Sequence, residues 1–312
     1  MRVLVMGSGG LGGYYGGALA QAGHDVTFLA RGAHLAAMRE RGLTIRGGDQ
    51  PIELRPVKAV GSPAEAGSNF DLVLFTVKGY DARGAAEALK PAVGPNTAVL
   101  TLLNGVESVD ILSETLGPEH VLSGMTVISA NIAEPGVISL NGPTRRIVLG
   151  EMSGQRTARV QQIADALRAV GVDVMIGDDP LLIVWEKYAA QATAASMTTV
   201  CDATFGAIRE TPEGLALFKR MIGETVAVGR ALGVKLPADI EERALGILMS
   251  MPASHKTSMQ RDFERHGPNE LEPLTGYIVR RGREVGVPTP SFDVVYAILK
   301  TRASQFLSAR NA

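Results

Sequence analysis

The stretch Met1 to Ala30 leaves this chain few folds to choose from. Val3-Leu4-Val5-Met6 is a short apolar run of buried-strand type, and Gly7-Ser8-Gly9-Gly10-Leu11-Gly12 follows it without a spacer. A helix from about Gly10 to Gln21 and a second strand from Asp25 to Ala30 complete a strand, turn, helix, strand unit. Glycine-rich turns also occur in plain loops, but GxGxxG between a strand and a helix is the context that gives the pattern meaning. Gly7 allows a tight turn, Gly9 lets the backbone approach a pyrophosphate, and Gly12 lets the helix lie close to the strand. Ser8, Gly10 and Leu11 fill out the turn, and the free N–H groups and positive dipole end of the helix then face the phosphates. The alternative is a structural turn in an unrelated α/β sheet.

Arg31 bears on which dinucleotide such a turn would take. Sites for NAD usually place Asp or Glu at the end of the second strand to accept a bond from the ribose 2′-hydroxyl, whereas NADP sites place an Arg there. Here Ala30 is followed by Arg31, with Arg39 and Arg41 nearby and no acid at the strand end. The expected cofactor is NADP(H); the other reading is a solvated arginine at a helix start.

The 312 residues suffice for two domains, and 46% hydrophobic with 20% charged residues describes an ordinary globular protein with a substantial core. A net charge of −1 gives no footprint for nucleic acid or an anionic membrane, and no apolar run is long enough to span a bilayer. The lone Cys201 excludes an internal disulfide, and the five histidines have no ligand spacing, so no metal is expected. With no room for a signal peptide before the first strand, a cytoplasmic protein is the expectation.

Further along, a helix to about Arg41 should end at Gly42, and Leu43–Ile45 with Ile52–Leu54 around Gly47-Gly48-Asp49 read as an inserted hairpin. Ser62-Pro63-Ala64-Glu65 has capping-box spacing. Asp71 to Val77 is a parallel-sheet strand with Lys78 just past its carboxyl end, where open α/β sheets bind ligands; Lys78 could also be a plain surface lysine. A helix from Ala82 to Leu89 precedes a strand from Thr97 to Leu103, which ends in Asn104-Gly105-Val106-Glu107. Asn104 can cap the next helix or serve a ligand. Val121–Ala130, Gly136–Leu140 and Arg146–Gly150 read as strands, Thr157–Val170 as a helix and Val172–Ile176 as the last strand. Beyond Gly177-Asp178-Asp179-Pro180 only helical segments follow. The expected architecture is a Rossmann α/β domain over 1–179 and an all-helical domain over 180–312.

The helix from Pro180 to about Val200 carries Lys187, Gln191, Ala195 and Thr198 on one stripe, with Glu186 on another side. An unpaired buried ammonium is expensive, so Lys187 either snorkels at a domain edge or works as a catalytic cation in a cleft. Helices from Thr211 to Leu232 and from Ala238 to Met249 follow, then a short polar helix beginning in Lys256-Thr257-Ser258-Met259-Gln260-Arg261-Asp262. Glu270 stands where the helix containing Pro273 starts, not on its shaft, and Pro288-Thr289-Pro290 introduces the last helix.

Together the glycine turn, Arg31, Val77-Lys78, Asn104-Gly105, Trp185-Glu186-Lys187, Lys256-Thr257-Ser258-Met259 with Asp262, Glu270 and Gly286-Val287-Pro288-Thr289-Pro290 resemble the ketopantoate reductase family, the NADPH-dependent 2-dehydropantoate 2-reductases. The resemblance covers nearly the whole chain and implies a Rossmann domain, a helical domain and an active site between them. It implies Lys187 as catalytic lysine, Asn104 as the asparagine near nicotinamide and substrate, and Ser258 as a contact to the substrate carboxylate. Glu270 then matches a cofactor-side glutamate with a catalytic part, and Lys78 and Ala130 fall among the cofactor contacts. The implied reaction is reduction of a small 2-oxo acid, with Lys187 donating the proton.

Two positions depart from that pattern. Gln191 and Ala195 stand where members that reduce ketopantoate usually have asparagines, and only the glutamine can still hydrogen-bond. A site that loses a partner for a substrate hydroxyl changes specificity, so the 2-oxo acid itself stays open. The rivals are a β-hydroxyacid or opine-type dehydrogenase and a non-catalytic NADP(H)-binding sensor. The oligomeric state is open too, a homodimer included.

Overall fold

The computed structural model describes residues 1–48 and 51–310, with side chains as far as Phe306. Asp49 of the expected hairpin turn and the last two residues of the expected second domain lie outside the described residues. The chain divides into two compact units, one of Met1–Leu103 with Ser108–Ile183 and the other of Asn104–Glu107 with Val184–Ala312. The segment that follows Leu103 at the sheet's carboxyl edge thus belongs to the second unit, an assignment that no local sequence signal carries.

The first unit is built on β1 (Arg2–Met6), β2 (Asp25–Leu29), β3 (Leu43–Arg46), β4 (Ile52–Leu54), β5 (Lys58–Val60), β6 (Leu72–Phe75), β7 (Ala98–Thr101), β8 (Val121–Glu134), β9 (Val137–Glu151) and β10 (Asp173–Ile176). Strand order is β4-β3-β9-β8-β7-β6-β1-β2-β5, with β10 on β9. The run β5-β2-β1-β6-β7-β8 is parallel throughout. It repeats the order 3-2-1-4-5-6 of doubly wound dinucleotide folds, with the switch point between β1 and β6.

Val3-Leu4-Val5-Met6 is buried on both faces, each residue at 1% exposure or less. Val3 and Val5 pack into one apolar layer with Tyr15, Leu19, Ile163 and Leu167, while Leu4 and Met6 pack into the other with Ala85, Leu89 and Leu112. A strand covered by helices on both sides has no polar face to alternate, hence the unbroken apolar run. The covering helices are α1 (Gly10–Gln21), α2 (Gly32–Arg41), α3 (Pro63–Ala66), α4 (Ala82–Leu89), α5 (Glu107–Leu116) and α6 (Ala158–Ala169).

Some local expectations need correction. The two strands expected over Gly136–Leu140 and Arg146–Gly150 are one, β9, and β8 runs on past Ala130 to Glu134. Asn141-Gly142-Pro143 reads as a break, but the antiparallel ladder passes it by a register shift, Val127 facing Arg146 and Ser129 facing Asn141. β5 was not expected: it is three residues long and buries only Ala59, too little for an apolar pattern. At Ser62 the hydroxyl bonds the Glu65 carboxylate at 3.1 Å instead of a helix N–H, so no capping box forms. The inserted hairpin is present as β3 and β4, antiparallel from Leu43↔Leu54 to Ile45↔Ile52.

Within the described residues the second unit has only helical elements: α7 (Pro180–Cys201), α8 (Phe205–Glu210), α9 (Pro212–Ala231), α10 (Ile240–Ser250), α11 (Ser258–Glu264), α12 (Tyr277–Val285) and α13 (Pro290–Arg310). Asp179 opens α7 by accepting from the Leu182 N–H at 2.9 Å. α8, too short for a periodic signal, was not expected. α9 is the hub, packed against α8, α10, α12 and α13. Ahead of α12, Glu272–Gly276 forms a turn of π-helix with Pro273 inside it. Such turns cluster at functional sites.

Candidate active site

In the first unit the glycines divide their work visibly. Gly7, at φ +105°, turns the chain where a Cβ would stand 2.8 Å from Val77 N. A Cβ on Gly12 would lie 2.3 Å from both Gly7 O and Thr76 Oγ1, and one on Gly10 would lie 2.3 Å from Ala130 O. These two let α1 sit against β1 and β8, and they bring Ala130 beside the turn. Gly9 is different: a Cβ there would meet nothing within 4 Å. The space before Gly9 is left open by the protein.

The turn is pinned on both sides, Ser8 N–H to Leu29 O at 2.9 Å and Thr76 Oγ1 to Gly7 O at 2.9 Å. Ser8 Oγ is buried without a partner among the described residues. An open approach, an orphaned hydroxyl and the unpaired N–H groups at the start of α1 fit a phosphate. Leu11, half-buried, packs against the core below.

Arg31 is the residue before α2, its side chain 68% exposed, and its guanidinium stands 3.6 Å from the Asp81 carboxylate. The carboxylate facing Arg31 thus comes from another loop, not from the strand end. Lys78 is exposed just beyond β6, ahead of the short turn Gly79–Asp81.

In the second unit the stripe on α7 meets three separate segments. Lys187 Nζ donates to Asn104 Oδ1 at 3.4 Å. Burial pulls the Lys187 ammonium down from 10.5 to about 8, against the pull of the Glu270 charge in the other direction. Glu270 itself is 3% exposed and immediately precedes the helical turn. Asn104 is thus a partner of Lys187 and does not cap α5, whose first residue is Glu107.

Further along the stripe, Thr198 Oγ1 meets Thr257 Oγ1 at 2.9 Å, and Thr257 caps α11 through the Gln260 N–H. Ser258 therefore starts a helix anchored to the far end of the Lys187 face. Between them Ala195 is buried at 2% exposure, and Gln191 Oε1 is buried without a partner among the described residues. Glu186 points elsewhere, pairing with Arg243 at 2.8 Å.

The backbone around this set is held by groups with no sequence signature. Tyr188 donates to Leu274 O at 2.7 Å, and Ser196 bonds Thr275 at 2.8 Å, fastening α7 to the π turn after Glu270. Arg280 pairs with Glu107 at 2.8 Å and Glu272 at 2.6 Å, tying the Asn104 segment to α12. Gln260, 1% exposed, has both amide atoms unpartnered among the described residues.

Residues 3–154 match the family model described as ketopantoate reductase PanE/ApbA, and residues 179–303 match that of the ketopantoate reductase PanE/ApbA C terminal. The chain is 31% identical to uncharacterized oxidoreductase YkpB of Bacillus subtilis, over 96% of this chain and 98% of that one. It is 30% identical to a 2-dehydropantoate 2-reductase of Mesorhizobium japonicum, over 97% and 98% of the two chains. Among solved structures, a PanE/ApbA family ketopantoate reductase from Ralstonia eutropha superposes with a TM-score of 0.88 at 31% identity, covering 98% of this chain and all of the other. A Rossmann-type α/β unit and a helical unit, matched in turn by the two family models, place the chain in a class of oxidoreductases. The chain belongs to the ketopantoate reductase family.

Proposed function

We propose that this chain is an NADPH-dependent reductase of a small 2-oxo acid, converting 2-dehydropantoate to pantoate, with Lys187 as the general acid. The observation that carries this reading is the half-buried Lys187 ammonium, which donates to Asn104 Oδ1 at 3.4 Å and feels the Glu270 charge, its pKa brought to about 8. A proton donor works best when its pKa lies near the working pH, and an ordinary lysine at 10.5 is too weak an acid. The names of the relatives point to the same reaction.

The dinucleotide, when bound, supplies the hydride that reaches the carbonyl carbon. In the first unit Gly7 to Gly12 would hold its phosphates and Arg31 the 2′-phosphate, with Lys78 and Ala130 as further contacts; in the second unit the family resemblance gives Asn104 and Glu270 a part toward the same cofactor. Lys187 delivers a proton to the carbonyl oxygen and neutralises the charge growing there. Asn104, whose carbonyl accepts from Lys187, fixes the ammonium and keeps its amide nitrogen for donation. Ser258 takes the substrate carboxylate. The unpartnered Oε1 of Gln191, one turn along α7 from Lys187, supports a substrate with polar groups.

Ala195 favours a second reading of the substrate. A buried methyl where a hydrogen-bonding group is expected makes the face more apolar, which suits a 2-oxo acid with a branched apolar side chain. NADPH oxidation over a panel of 2-oxo acids, 2-dehydropantoate included, compares the two through kcat/KM. Absence of turnover with every member would leave a dinucleotide-binding protein without this activity.

A further inference from the structure

Arg31 follows β2, and Asp81 ends the turn after β6. β1 lies between those strands, so the loops holding the two residues flank the glycine turn that opens from β1. Across that gap the guanidinium and carboxylate stand 3.6 Å apart, with side chains 68% and 44% exposed. Exposed pairs of this kind contribute little to stability. Nor does the Asp81 side chain cap α4. Structural duty does not account for a carboxylate facing an arginine suited to a 2′-phosphate.

We propose that Asp81 is a specificity-determining residue for the dinucleotide, opposing a 2′-phosphate at Arg31 and accepting a hydrogen bond from a ribose 2′-hydroxyl. The proposal rests on the reading of the glycine turn and Arg31 as the dinucleotide site. A phosphate monoester carries nearly two negative charges at neutral pH, so to reach Arg31 it must displace one carboxylate and then remain beside it. A 2′-hydroxyl has the opposite preference: its usual acceptor is an acid at the end of the second strand, and Asp81, though it follows β6, stands 3.6 Å from the arginine just past that end. With Arg31 and Asp81 together, the site takes NADPH with a handicap and NADH with a partner. Lys78, exposed just before the same turn, adds a positive charge to this loop.

Titration calorimetry of the full chain with NADPH and NADH, for wild type, Asp81→Asn and Arg31→Ala, tests this. Asp81→Asn should tighten NADPH about tenfold, as expected for removing one like charge at this range, and weaken NADH slightly. The gain should shrink as salt is added, because both groups are exposed. An NADPH-to-NADH affinity ratio in Asp81→Asn within about twofold of wild type, where a tenfold shift corresponds to 1.4 kcal/mol, overturns the proposal. Arg31→Ala separates the layers. If it lowers the ratio while Asp81→Asn leaves it alone, only Asp81 loses its role; if it too leaves the ratio alone, the Arg31 assignment falls first. Failure of wild type to bind either dinucleotide removes the site reading beneath both.

Discussion

The glycine turn and the Lys187 constellation are two candidate sites made on opposite principles. The turn is backbone: its function rests on side chains that are absent, from consecutive residues whose constraint is short-range crowding at Gly7, Gly10 and Gly12 and open space at Gly9. The constellation is side chain: Lys187, Asn104, Glu270 and Ser258 come from four separate segments, Asn104 83 residues from Lys187, and burial pulls down the pKa of its central group. A backbone site tolerates no added atoms but needs no tuning. A side-chain site tolerates changes of shape but depends on its dielectric surroundings.

Lys187→Ala is the largest expected break between the two. It should lower kcat by roughly 10²-fold or more, the usual share of general-acid catalysis, while NADPH affinity measured by calorimetry stays near wild type. A folded Lys187→Ala enzyme with wild-type kcat would make the lysine a snorkelling residue. Next in size is a contrast within the turn. Gly12→Ala forces a Cβ to 2.3 Å from Gly7 O and should cost about 1–3 kcal/mol or more in denaturant unfolding. Gly9→Ala meets nothing in the protein, so stability should hold while NADPH binding weakens. Equal stability losses in the two variants would contradict the division of labour.

A smaller effect is expected at Ala195. Ala195→Asn restores a hydrogen-bonding group on the Lys187 face and should shift the kcat/KM ratio toward 2-dehydropantoate, relative to a branched apolar 2-oxo acid, by about 1–3 kcal/mol. A strong native preference for 2-dehydropantoate, unmoved by the substitution, would mean that Gln191 already serves that hydroxyl.

The smallest change is in pH dependence. Lys187 acts in its ammonium form, so turnover should be level below about pH 8 and fall as pH rises through that value. The Glu270 charge holds this pKa up against burial, so Glu270→Gln should move the alkaline limb to lower pH. Movement to higher pH would show that Glu270 does not act on Lys187 through its charge.

Legibility followed the same divide. The fingerprint, the two strands around it, α1 and the polar stripe of α7 could all be read from spacing, because each is a local repeat of side-chain size or polarity. β5 escaped because three residues with one buried alanine carry no period, although β5 completes the parallel half of the sheet. The interruption expected within β9 failed because a register shift lets the ladder pass Gly142 and Pro143. Asn104 was visible as a polar residue at a sheet edge. That it accepts from Lys187 was not, since the pairing spans 83 residues.

By itself the sequence determined the class of fold, the phosphate-shaped turn and the face of α7 on which the chemistry is proposed. All three follow from hard-sphere sterics and helical or strand periodicity acting over a few residues. Only the tertiary structure decided that Lys187 lies in the field of Glu270 with its pKa near 8, and that Arg280 fastens the Asn104 segment to α12. It alone put Asp81 against Arg31. These depend on desolvation and Coulomb attraction between groups distant in sequence, and neither exists until the chain has folded.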